Sequence, residues 1–127
     1  MPPTSQKPAF PRSACPISNA LDIIGDKWTL LIIRDIFLGK HLYRQLMQSP
    51  EGIASNILAN RLKRLEQAQF ISKRAYQFKP VRYEYHLTQK GQDLQTVLQA
   101  MAKWGLEHVP GTQVFTDMNS DGVNKLK

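Results

Sequence analysis

Cys15 is the one cysteine of the chain and stands directly before Pro16. A helix opening at Pro16 would put that thiol at its N-terminus, where the dipole favours thiolate and so reactivity. A lone thiol closes no internal disulfide; its chemistry would be an adduct or a bond between two chains. The competing reading is simply a small residue at a helix start. His41, His86 and His108 fall in separate segments without metal-ligand spacing. Asp22, Asp26 and Asp35 have no nucleophile, glycine-rich loop or cofactor motif beside them. Catalysis has nothing to stand on, and neither a metal nor a cofactor is expected.

The remaining chemistry is that of binding. Between residues 40 and 90 lie Lys40, Arg44, Arg61, Lys63, Arg64, Lys73, Arg74, Lys79, Arg82 and Lys90, opposed only by Glu51, Glu66 and Glu84. That stretch carries the whole of the chain's net charge of +7, and the rest sums to zero. A charge serving solubility alone would be spread out, so the concentration points to a polyanion-binding segment. The same stretch holds Asn56 and Asn60, whose amides can donate to and accept from a base edge.

Elements must position these groups. At 127 residues, 42% hydrophobic and 21% charged, the chain reads as one globular domain. Four prolines within residues 1–14 suggest a mobile arm, residues 110–127 a polar tail, and residues 15–109 the folded domain. Ile17, Ala20, Leu21 and Ile24 predict an amphipathic helix from Pro16 that stops at Gly25. Asp26 is a candidate N-cap for a second helix, Trp28 to Leu38, with apolar residues on several faces and Gly39 at its end. A short third helix, Leu42 to Gln48, precedes the turn signal Ser49-Pro50-Glu51-Gly52. From Ala54 to Ala68 the helical period returns. Leu62, Leu65 and Ala54 lie within about 40° of Leu58 on the wheel, while Asn56, Asn60, Lys63 and Gln67 lie opposite.

The period then changes from 3.6 to 2. Phe70 to Tyr76 has strand composition, Gln77-Phe78-Lys79-Pro80 closes a hairpin, and Val81, Tyr83, Tyr85 and Leu87 alternate with polar residues as a half-buried strand. Thr88 can cap one long final helix to about His108, with Leu94, Val97, Leu98, Met101, Ala102 and Trp104 as its stripe.

Two helices joined by a tight turn and followed by a basic hairpin make the order of a winged helix-turn-helix: mainly α, with a small β wing. A major groove about 12 Å wide admits one helix. Ser55, Asn56 and Asn60 are the expected base readers. Tyr43, Arg44, Arg61, Lys63, Arg64, Lys79 and Arg82 are placed to hold the backbone of double-stranded DNA. Arg61 could instead pair with an internal acid such as Glu84, and Tyr43 could belong to the core. The alternative function is a winged-helix protein-interaction module whose basic face is merely solvated.

The run CPISNALDIIGDKWTLLIIRDIFLGK, with ILANRLKRLEQAQFISK and VRYEYHLTQKG, resembles the HxlR-type transcriptional regulators of bacteria and archaea. The resemblance spans about residues 15–108 and includes Cys15-Pro16, Lys27-Trp28-Thr29, Arg61-Leu62, Leu65-Glu66, Pro80, Glu84-Tyr85, Leu87-Thr88 and Gly91. It implies a homodimeric repressor or activator pairing through its first and last helices. In some members a cysteine at the position of Cys15 senses oxidants or electrophiles, which makes an oxidant or small molecule a candidate effector. The chain departs from the pattern at Ala54 (usually a capping Ser), Asn56 (often basic), Ala59 (often Thr) and Gln69 (often a turn Gly).

Dimerisation has a physical reason too, because one recognition helix covers too few base pairs for a unique site. Ile17, Leu21 and Ile24, with Val97, Met101 and Trp104, exceed what a small core needs and form the candidate interface. The competing reading packs both stripes within their own domain. The longest apolar run, Leu30 to Ile33, is far too short to span a bilayer, and the first residues lack the apolar core of a secretory signal. The expected compartment is the cytoplasm, with no membrane partner.

Overall fold

A computed structural model describes residues 10–114. Residues 1–9 of the expected arm and 115–127 of the expected tail lie outside that range. The order is α1 (Pro16–Ile24), α2 (Thr29–Phe37), α3 (Tyr43–Leu46), α4 (Ser55–Gln67), β1 (Ile71–Phe78), β2 (Val81–Leu87), α5 (Gln89–Gln92) and α6 (Gln95–His108). This is a winged helix-turn-helix in which α3 and α4 form the helical pair and the antiparallel β1–β2 hairpin forms the wing.

Helix α1 starts with Pro at its first position, where the missing N–H breaks no bond. Asp26 caps α2 through its side chain, accepting from Trp28 N and Thr29 N at 3.1 Å each and from the Thr29 hydroxyl. Ile32, Ile33 and Ile36 of α2 are buried and pack with Leu46, Leu58, Leu62, Leu65, Phe70 and Ile71 in one core. Each such side chain contributes roughly 1.5–3 kcal/mol by leaving water.

Two helix ends share one device. After α2, Gly39 N donates to Ile36 O and Lys40 N to Asp35 O, with Gly39 at φ 98°. After α4, Gln69 N donates to Glu66 O and Phe70 N to Leu65 O, with Gln69 at φ 67°. Gln69 therefore holds a left-handed conformation that glycine adopts without strain. The buried Phe70 and Leu65 supply the hydrophobic contact that accompanies this motif.

The structure corrects several expectations. The final helix is two pieces. Gly91 of α5 approaches the Phe70 carbonyl so closely that an added Cβ would lie 2.2 Å from it, and Thr88 ties the same corner to Gln69 O and Phe70 O. The chain re-aims at Asp93–Leu94, where Leu94 N bonds back only three residues to Gly91 O, before α6 begins. The hairpin is also longer than expected: Gln77 and Phe78 belong to β1, which leaves Lys79-Pro80 as the turn, and Tyr76 is the extra residue where the register shifts. Its outer half leaves the core, so Val81 and Tyr83 are exposed rather than half-buried. Lys40, counted among the basic residues, is 4% exposed and lies close to the buried Asp35 carboxylate.

The segment before α3 fixes the wing to the helices. Tyr85 N donates to His41 O at 2.8 Å, His41 Nδ1 donates to Tyr85 O at 2.8 Å, and Leu42 bridges to Glu84. The rings of His41 and His86 stack with centroids 4.5 Å apart, and His86 Nε2 donates to Glu84 Oε1.

Candidate nucleic-acid interface

Helix α4 divides as its period requires. Leu58, Leu62 and Leu65 are buried, while Ser55, Asn56, Ala59, Asn60, Lys63, Arg64 and Gln67 are exposed. Ala54 occupies the N-cap position without a side-chain bond. Tyr43 reaches the same turn from α3: its hydroxyl donates to Ser55 O at 2.8 Å and sits 2.7 Å from Ser55 Oγ. With the Tyr43 proton on the carbonyl, the Ser55 hydroxyl donates back to Tyr43, which leaves Ser55 Oγ lone pairs for an outside donor.

Asn56 projects from the first turn. Asn60, one turn on, accepts Arg61 Nη1 at 2.6 Å through Oδ1, so its amide N–H₂ is the group turned outward. Arg61 is anchored at its other edge, where Nε donates to Asp26 Oδ2 at 2.9 Å. The internal acid that Arg61 meets is thus Asp26, not Glu84. Burial alone would raise the Asp26 carboxyl pKa. Hydrogen bonds from Thr29 and Arg61, with those from the Trp28 and Thr29 backbone, overturn that and hold it at about 2. Asp26 therefore does two jobs, capping α2 and tying the flank of α4 to the α1–α2 corner.

The turn between α3 and α4 has its own clamp. Arg34 Nη1 and Nη2 donate to the two Glu51 carboxylate oxygens at 2.8 Å each, Nη2 also reaches Ser49 Oγ at 3.2 Å, and Nε donates to Asp35 Oδ1 at 3.0 Å. This bidentate contact holds the Glu51 carboxyl at about 2, whereas burial pushes that of Asp35 above the usual range. This network ties the turn that leads into α4 to helix α2. The sequence offered an internal acid for Arg61 but named the wrong one, and it gave no hint of the Arg34–Glu51 contact, since partners 35 and 17 residues apart leave no local signal.

Arg44 of α3 and Arg64 of α4 are exposed, as are Lys79 at the wing turn and Arg82 on β2. Lys73 lies 4.5 Å above the Tyr83 ring and 4.0 Å from Glu66. A groove of about 310 Å³ runs between α4 and the wing, lined by Tyr43, Ala59, Lys63, Gln67, Lys73 and Tyr85 among others. Amides, hydroxyl and cations thus share one surface made of α4 and the wing. Among the described residues, no group of three or more His, Cys, Asp or Glu side chains could hold a metal.

A model of the HxlR-like helix-turn-helix family matches residues 23–113. The chain belongs to that family. Among curated relatives, it is 37% identical over 91 residues to the uncharacterised HTH-type transcriptional regulator sll1512 of Synechocystis, covering 72% of this chain and 67% of that one. The chain spans 59–67% of the length of this relative and three other curated relatives it matches. The reduced form of the transcriptional regulator YodB from Bacillus subtilis superposes with a TM-score of 0.64 at 30% identity, over 80% of this chain and all of that one. The redox regulator HypR in its reduced form gives 0.69 at 26% identity, over 76% and 95%.

The remaining expected site residues lie away from the α4–wing surface. Cys15 is exposed at the N-cap of α1, its carbonyl accepting from Asn19 N and Asn19 Nδ2. Arg12, within the expected arm, pairs with Asp22 of α1 at 2.8 Å. Ile17 and Leu21 of α1, and Val97, Met101 and Trp104 of α6, are exposed. Ile24 is not: it is 9% exposed and packs in its own core, which removes it from the candidate interface. No helix among the described residues is long and apolar enough to cross a membrane.

Proposed function

We propose that this HxlR-type transcriptional regulator acts in the cytoplasm as a homodimeric, sequence-specific repressor on an inverted-repeat operator. The observation that carries the proposal is the polar, cationic face of α4, opposite its buried leucines and beside a basic wing. Asn56 and Asn60, with the lone pairs of Ser55, read base edges in the major groove, while Lys63, Arg64, Arg44, Lys79 and Arg82 hold phosphates. Tyr43 and Arg61 act one step back: both are bonded within the protein, and both orient the groups that touch DNA.

The exposed side chains of Ile17, Leu21, Val97, Met101 and Trp104 give two copies an apolar seam. A two-fold pair sets its recognition helices roughly 34 Å apart, one helical turn of duplex. Occupancy of the operator blocks the promoter, and a signal that shifts the spacing of the two helices by a few Å breaks register with successive grooves. Cys15 receives that signal. Its exposed thiol lies beside the α1 seam, so oxidation or an electrophile adduct alters the packing that sets the spacing. The similarity to a redox regulator supports this assignment.

Mobility shifts with genomic fragments at several salt concentrations test the proposal. Contact with about six or more phosphates makes affinity fall steeply with salt while sequence preference survives. A protein-interaction module gives neither result. Mass spectrometry after mild oxidant, paired with the same shift, tests Cys15: an unmodified thiol with unaltered binding ends the sensing role.

A further inference from the structure

Phe78 is 73% exposed, more than any other large apolar side chain among the described residues, and Val81, its partner on the last rung of the wing, is 50% exposed. Strand alternation puts Val81, Tyr83 and Tyr85 on one face of β2, and Tyr85 lines the groove beside α4. Cross-strand pairing puts Phe78 on that same face. The apolar tip therefore sits on the side of the wing turned toward the recognition helix.

Cations flank it. Lys79 forms the turn, Lys73 lies farther along the same face, and Arg82 and Arg74 project from the opposite face of the ribbon. No acidic residue occurs from Lys73 through Tyr83, and Glu84 beyond them is engaged by His86 and faces Arg74. An apolar tip with a cation at its turn and others along both faces of its ribbon fits an occupant that is anionic at its rim and apolar within. The seam proposed for a second copy lies on α1 and α6, outside the basic stretch, so a like-charged copy does not fit this tip.

We propose that Phe78, with Val81 beside it, is an apolar wedge that enters the minor groove next to the recognition site and bends the duplex. Phosphates on either side meet Lys79 and Arg82, while the Phe78 ring meets sugars and the edge of a partly unstacked base step. The wing then contributes specificity without base hydrogen bonds, because flexible pyrimidine–purine steps accept the bend at lower cost. This inference rests on the DNA-binding reading above and adds a deformation that reading does not require. An anionic lipid surface would offer similar chemistry, but it would not engage the face of α4 toward which the tip is turned.

The test uses the full chain and a duplex selected from a randomised pool by the wild-type protein, labelled at both ends for energy transfer. Wild type bends it by about 20° or more. Phe78→Ala melts like wild type, binds about tenfold more weakly because a buried ring is lost, and leaves the duplex straight. Phe78→Leu keeps most of the bend, and Lys79→Ala weakens binding with the bend unchanged. The wedge is overturned if Phe78→Ala bends and binds the duplex as wild type does. It is equally overturned if that variant loses only binding to phosphatidylglycerol vesicles. Failure of wild type to enrich any duplex from the pool brings down the DNA reading itself, which is a different result.

Discussion

Replacing Asp26 by asparagine keeps the shape of the side chain and its capping oxygen but removes the charge that Arg61 faces. Native interactions lower the carboxyl from 3.8 to about 2. Each unit corresponds to about 1.4 kcal/mol, and partial exposure to solvent reduces the result. The expected loss at pH 7 is therefore about 1–1.5 kcal/mol, or roughly 3–6 °C in Tm for a domain of this size. Arg61→Gln removes the same contact from the other side. In a double-mutant cycle the two substitutions are expected to couple by about 1 kcal/mol, read from urea denaturation. The difference between Asp26→Asn and wild type is expected to vanish below pH 2, where the native carboxyl is itself protonated. Full additivity of the two substitutions, or an Asp26→Asn melt equal to wild type, would refute the clamp.

The same sign extends to acid unfolding. Asp26 and Glu51 both have native values near 2 against ordinary values of 3.8 and 4.5, so their stabilisation is complete above about pH 5 and disappears as pH falls through 2. After discounting for exposure, the two together account for on the order of 2 kcal/mol, and a flat stability profile from pH 5 to 2 would contradict this. Gln69→Gly removes left-handed strain of about 1–2 kcal/mol and costs roughly 0.5–1 kcal/mol in chain entropy. A gain of about 0.5–1 kcal/mol in calorimetry is expected. Leu21→Asp is expected to give a folded monomer by light scattering and to abolish tight operator binding; a dimer of unchanged affinity would move the seam elsewhere.

Elements whose signals are local were legible in the sequence. Pro16 and Gly25 bound α1 at the residues expected, and the leucines of α4 face inward as their spacing requires. The switch from period 3.6 to 2 located the wing. What escaped notice depends on distant approach. The break before α6 has no proline or glycine at Asp93–Leu94; it follows from Gly91 meeting the Phe70 carbonyl, a contact only the fold creates. The outer hairpin alternates correctly, yet it extends past the core, so pattern overstated burial at Val81 and Tyr83. The exposed amides and cations of the site were readable as residue types. The sequence left open whether Arg61 and Tyr43 are occupied within the protein, because partners from other elements leave no local trace, and it gave no sign that Lys40 is buried beside Asp35.

Selection of duplexes from a randomised pool by wild type and by Asn60→Ala tests most directly whether the outer face of α4 reads base sequence. The account expects wild type to enrich two inverted half-sites about one helical turn apart. It expects Asn60→Ala to lose preference at one base pair in each, about 1–3 kcal/mol of discrimination, with affinity for unselected duplex unchanged. An identical selected sequence for both proteins, or no enrichment by wild type, would contradict it.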